Sequence, residues 1–149
     1  MVGQDNARIA SRLSAAYILR SIHMMSSFMG GDFLLSVVFE AVVMANVGYL
    51  DQTHPDGAHY RSTGDPVPDE LRRPVSVLAV SQSLGLSYET TRRYVKKLMA
   101  AGYCVKVNGG LIVPARATQG ETQYKLMQAN FANLRRLFKA LKAVGVDLD

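Results

Sequence analysis

At 149 residues, 48% of them hydrophobic, the chain is long enough to bury one core unaided and too apolar to be disordered. Its formal charge of +5 points to an anionic partner, such as nucleic acid or a membrane surface. One cysteine, Cys104, excludes an intrachain disulfide framework and a cysteine-ligated metal cluster.

The opening MVGQDNARIA has neither the basic start nor the apolar core of a signal peptide, which predicts a cytoplasmic protein. From Asp5 to Met25 a helix is expected, with Ile9, Leu13, Ala16, Tyr17 and Arg20 along a narrow stripe. Gly30 and Gly31 break it, and Asp32 is placed to cap the next helix. The run FLLSVVFEAVVMANV is apolar nearly all round but shorter than the roughly 20 residues a membrane crossing needs. It predicts a core helix and no membrane partner. Gly48 ends it, which closes an N-terminal helical region over residues 5–48. Residues 51–70, rich in proline and glycine, predict a loop whose length marks it as mobile or functional.

Beyond Pro74 the signals sharpen. Ser76 caps a short helix that runs to about Ser83, with Val77, Val80 and Leu84 facing inward. Gly85 allows positive φ at a turn, and Ser87 caps a second helix. On that helix Thr91, Tyr94, Val95, Leu98 and Ala101 share one face, and Gly102 stops it. YCVKVNGGLIVP then reads as two short strands around Asn108, Gly109 and Gly110, because a tight hairpin turn needs positive φ.

Helix, turn, helix and hairpin in this order resemble the winged helix-turn-helix of bacterial transcriptional regulators, broadly of the MarR and IclR families. The matching residues are Val80, Leu84, Gly85, Leu86, Ser87, Thr90, Arg92, Arg93, Val95, Leu98 and Gly102, within residues 74–114, under a third of the chain. Ser81 stands where such motifs carry alanine. Thr91 stands where they carry valine or isoleucine, and its hydroxyl needs a partner. The resemblance implies a mainly α fold with a small β-hairpin wing. In it residues 74–116 form the helix-turn-helix and wing, flanked by the N-terminal helices and by a C-terminal helix at 120–143. It also implies a sequence-specific DNA-binding regulator of transcription, with residues 87–101 in the major groove of double-stranded DNA.

With Thr91, Val95 and Leu98 buried, the second helix turns Tyr88, Glu89, Arg92, Arg93, Lys96 and Lys97 outward. An arginine fork matches guanine O6 and N7, and a carboxylate can accept from cytosine N4. Tyr88, Glu89, Arg92 and Arg93 are therefore the expected base contacts, with Arg92 ahead of Arg93. Ser87, Thr90, Lys96, Lys97, Lys106 and Arg116 are the expected contacts to the DNA backbone. Residues 71–117 hold eight cations against Glu89 alone, a net of +7 that leaves −2 for the rest, so the positive charge belongs to this unit. The alternative is a winged-helix protein–protein interaction module without DNA binding, which would lack a steep salt dependence.

Along the last helix Tyr124, Met127, Phe131, Leu134, Phe138 and Leu141 follow the 3–4 spacing of a packed seam, which predicts a homodimer interface. Arg135, Arg136, Lys139 and Lys142 suit its C-terminal turns, and Gly145 stops it. The apolar helix Phe33–Val47, with Met24, Met25 and Met29 before it, is either plain core or the wall of a pocket for a small-molecule effector. His54 and His59 with Asp51, Asp56 and Asp65 match no metal-site spacing and predict a solvated loop. His23, beside Met24 and Met25, reads as a helix end against the core. Cys104 alternates with Lys106 and is expected to be partly exposed. No nucleophile–base pair, phosphate loop or paired carboxylates occur, so no enzyme activity, cofactor or metal is expected.

Overall fold

A computed structural model describes residues 6–51 and 54–148. Helix α1 spans Ala7–Phe28, almost a turn beyond the expected end, while the expected start at Asp5 lies outside the described residues. None of its residues is fully buried, so α1 is an outer layer. Asp32 caps α2, Phe33–Val47, its carboxylate accepting from the Leu35 N–H at 3.1 Å. Gly48 ends α2 as its C-cap, as expected. It keeps right-handed helical angles, and the chain continues as a 3₁₀ turn over Gly48–Leu50.

Helix α2 is the centre of the fold. Val38 and Val42 are fully buried, and α2 contacts α1, α3 (Val77–Leu84), α4 (Tyr88–Ala100) and the hairpin strand β2 (Gly110–Ile112). Phe33–Leu50 is by length and mean hydropathy, 1.9, apolar enough to cross a membrane. The central helix of a packed domain meets the same description. Its exposed side carries Met44, so it is not enclosed all round.

The helix pair α3 and α4 forms for local reasons. Ser76 Oγ accepts from the Ala79 N–H, and Ser87 Oγ from the Thr90 N–H, each at 3.1 Å. Gly85 between them takes the left-handed conformation, with φ 67°. Val80, Val95 and Leu98 enter the core, whereas Ala101, expected on the inner face, is exposed as the C-cap of α4. The two hydroxyls that depart from the motif are both buried and both satisfied. Ser81 Oγ donates to the Leu78 carbonyl at 2.7 Å and Thr91 Oγ1 to the Ser87 carbonyl at 3.0 Å.

Strand β1, Val105–Val107, pairs antiparallel with β2 through a turn at Asn108 and Gly109, whose φ values are 50° and 78°. Val75 adds an isolated antiparallel bridge to Leu111, with N–H···O distances of 3.0 and 2.7 Å. Gly110 belongs to the strand and not to the turn. A Cβ there would come within 2.7 Å of the Pro74 Cβ, so glycine lets the Val75 segment close on the hairpin.

Residues 51–70, where described, are a mostly exposed loop with 3₁₀ turns at Gly57–Tyr60 and Asp69–Leu71. After a further turn at Ala115–Thr118, helix α5 spans Glu121–Ala143 and lies along α1. The described residues are mainly helical, with one small antiparallel hairpin among them.

Candidate nucleic-acid interface

The outward face of α4 carries Tyr88, Glu89, Arg93, Lys96 and Lys97 exposed, with Arg92 partly covered. Glu89 and Arg92 are paired: Arg92 Nε donates to one carboxylate oxygen at 2.9 Å and a terminal nitrogen to the other at 2.6 Å. That hydrogen bonding, together with the positive charges of Arg92, Arg93 and Lys96, holds the Glu89 carboxyl below its usual range. The same partner raises the Arg92 guanidinium. Glu89 therefore stays ionised, and both groups expected to meet bases are engaged with each other.

Arg93 and Lys96 differ, since neither makes a hydrogen bond or ion pair among the described residues. Lys97 lies 3.9 Å from Asp32 and 4.9 Å from the Tyr94 ring centroid. At the start of α4 Ser87 Oγ donates to Thr90 Oγ1 at 2.9 Å, which leaves the Thr90 hydroxyl proton free for a phosphate oxygen. Lys106 points outward from β1 between two half-buried valines. Arg116 donates to the Gly102 carbonyl at 2.9 Å and so ties the segment after β2 to the exit of α4.

Arg72 does not contribute to the basic surface as the charge count implies, whereas Arg73 stays exposed. Arg72 is buried, and its guanidinium donates to the Val67 and Val113 carbonyls at 3.0 and 2.9 Å and to Thr118 Oγ1 at 3.3 Å. Burial lowers its pKa, with Asp69 opposing that shift. Asp69, just outside the counted window, also accepts from the Ala115 N–H at 2.7 Å. Arg73 lies over the Tyr49 ring, 3.5 Å from its centroid. The net of +7 thus overstates what a ligand meets.

Cys104 is the clearest correction. It is 1% exposed, sits in the hydrophobic core, and burial pushes its thiol up to about 11. Strand alternation begins only at Val105, so the parity shared with Lys106 carries no information about a residue before the strand. His54 packs edge-on to Tyr49 and lies 3.8 Å from Asp56, while His59 packs on Tyr60. Among the described residues no three His, Cys, Asp or Glu side chains gather.

Sequence reasoning missed Asn46. Buried at 0% exposure, its Nδ2 donates to the carbonyls of Arg73 and Leu111 at 2.7 and 3.0 Å, and its Oδ1 accepts from the Val113 N–H at 2.9 Å. One amide thereby fastens α2 to the segment before α3 and to the hairpin. An asparagine inside an apolar run was the available signal.

The six-residue seam on α5 is divided. Leu141 is buried, Tyr124 and Leu134 are half-buried, and Met127, Phe131 and Phe138 are 43%, 54% and 56% exposed. The contact with α1 uses Asn133, which is buried and hydrogen-bonded to Arg20 and Ser21. Of the methionines expected near an effector pocket, Met24 and Met25 line a groove between α1, α2 and α5, whereas Met29 is buried in the core. Comparison with protein-family models, curated proteins and solved structures finds no match for the chain.

Proposed function

We propose that the chain is a winged helix-turn-helix regulator of transcription that binds double-stranded DNA, with α4 in the major groove and the hairpin as its wing. The observation that carries this reading is the exposed face of α4: Arg93 and Lys96 stand without protein partners beside the Glu89–Arg92 pair, directly behind a glycine turn. Arg93 is the foremost base reader, its fork open to guanine. Lys96, Lys106 and the Thr90 hydroxyl serve phosphates. The Glu89–Arg92 unit presents a polar, nearly neutral surface beside them and narrows the choice of bases.

Dimerisation completes the reading. One recognition helix spans too few base pairs to select a site from a genome, and a two-fold dimer doubles the contact at half-sites about one DNA turn apart. Exposed Phe138 on α5, with exposed Ile18 and Leu19 on the α1 helix beside it, supplies the apolar surface such a contact needs. A titration of random-sequence duplex across salt concentrations tests the DNA reading. Non-specific binding at about 10⁻⁴ to 10⁻⁶ M near physiological salt, falling steeply as salt rises, is expected. No binding at low salt would leave the interaction-module alternative.

A further inference from the structure

The groove between α1, α2 and α5 has a volume of about 920 Å³, at the upper end of the range for small-molecule sites. Its wall is largely apolar, with Met24, Met25, Phe39, Val43 and Leu126 contributing, and two carboxylates, Glu40 and Asp65, interrupt it. Glu40 makes no hydrogen bond or ion pair among the described residues. Burial raises its pKa, and desolvation is the cause.

A carboxylate set in apolar surroundings without a partner is costly, and neighbouring cations do not relieve this one. The Arg72 guanidinium, also at the groove, is committed to carbonyl groups and Thr118. Arg61, which also lines the groove, is exposed, and the Asp65 carboxylate accepts from Ser62 Oγ at 3.2 Å. We propose that this groove binds an amphipathic organic cation, with the Glu40 carboxylate as counter-ion and the methionine and aromatic wall enclosing its apolar body. Charge and shape both select that class. An anion would face Glu40, and a small inorganic cation would leave the apolar wall wet. Thioether side chains adapt to irregular apolar shapes, and aromatic faces attract cations. The site is separate from the outward face of α4, and its test involves no DNA.

Isothermal titration of the full chain with tetraphenylphosphonium, against tetraphenylborate of the same shape and opposite charge, tests it. Saturable binding of the phosphonium and none of the borate is expected. Glu40→Gln should weaken phosphonium binding by about tenfold or more, because a partly desolvated charge pair is lost. The variant's unfolding midpoint should stay equal or rise, since an unpartnered carboxylate is removed. Should that variant not fold, Met25→Trp supplies an indole in a chain with no tryptophan, and its emission should change saturably with the phosphonium alone. Absence of saturable phosphonium binding, equal affinity for the borate, or undiminished affinity in Glu40→Gln overturns the proposal.

Discussion

Glu89 holds Arg92 in a two-pronged grip, 2.9 Å at Nε and 2.6 Å at a terminal nitrogen, three residues apart on the exposed face of α4. In the proposed DNA complex the pair moves the foremost base-reading role from Arg92 to Arg93. Arg93→Ala should cost about 1–3 kcal/mol at a specific site and relax preference at one base position. Arg92→Ala should cost less. Fluorescence anisotropy with a selected duplex and single-base variants measures both, and a larger loss for Arg92→Ala would mean that the pair opens on DNA.

Glu89→Ala removes the one acid on this face and releases Arg92. Affinity for random duplex should rise, and the slope of log affinity against log salt should steepen by about 1 as one more phosphate is neutralised. Lys96→Ala should do the reverse, weakening all sequences about equally. Salt titrations of the three proteins decide it, and identical slopes would remove α4 from the interface.

Asn46→Ala should destabilise the fold by about 2–4 kcal/mol, because it strands the Val113 N–H in the interior, takes the side-chain donor from the Arg73 carbonyl and leaves the Leu111 carbonyl with the Val75 N–H alone. Asn46→Asp keeps the acceptor but loses the donor and buries a charge, so it should be at least as damaging. Urea denaturation followed by far-ultraviolet circular dichroism gives both values. A change below about 0.5 kcal/mol would show that water replaces the amide without loss.

Cys104 should be inert to thiol reagents in the native state, with labelling that accelerates as urea unfolds the chain. Its folded pKa of about 11 lies above the thiol's ordinary value of 9.0, so the unfolded chain releases the thiol proton first as pH rises. The neutral thiol's contribution is thus complete below pH 9.0 and is lost as pH climbs toward about 11. Cys104→Val should show a shallower loss of stability across that window. Superimposable curves would contradict the burial.

Phe138→Asp should give a folded monomer that keeps weak, salt-sensitive DNA binding and loses affinity for a two-fold site. Sedimentation of the unaltered chain at micromolar concentration should show a dimer. A monomer there would leave the exposed aromatic residues of α5 without the proposed partner.

The caps at Asp32, Ser76 and Ser87, the left-handed Gly85 and the Asn108–Gly109 turn were all legible in the sequence. Each depends on backbone within about four residues, where local sterics and hydrogen bonding decide the outcome. The inner face of α4 was legible too, since helical periodicity alone places Thr91, Val95 and Leu98 together. The Glu89–Arg92 pair was equally local in spacing but concealed in a count of charges. Only the tertiary structure decided which cations are internal, because Arg72 is buried by carbonyls up to 41 residues away. It alone gave Asn46 its partners, 27 to 67 residues distant, and set Cys104 in the core. It also divided the α5 stripe, because a regular spacing defines a face of a helix but not how much of that face its neighbour covers.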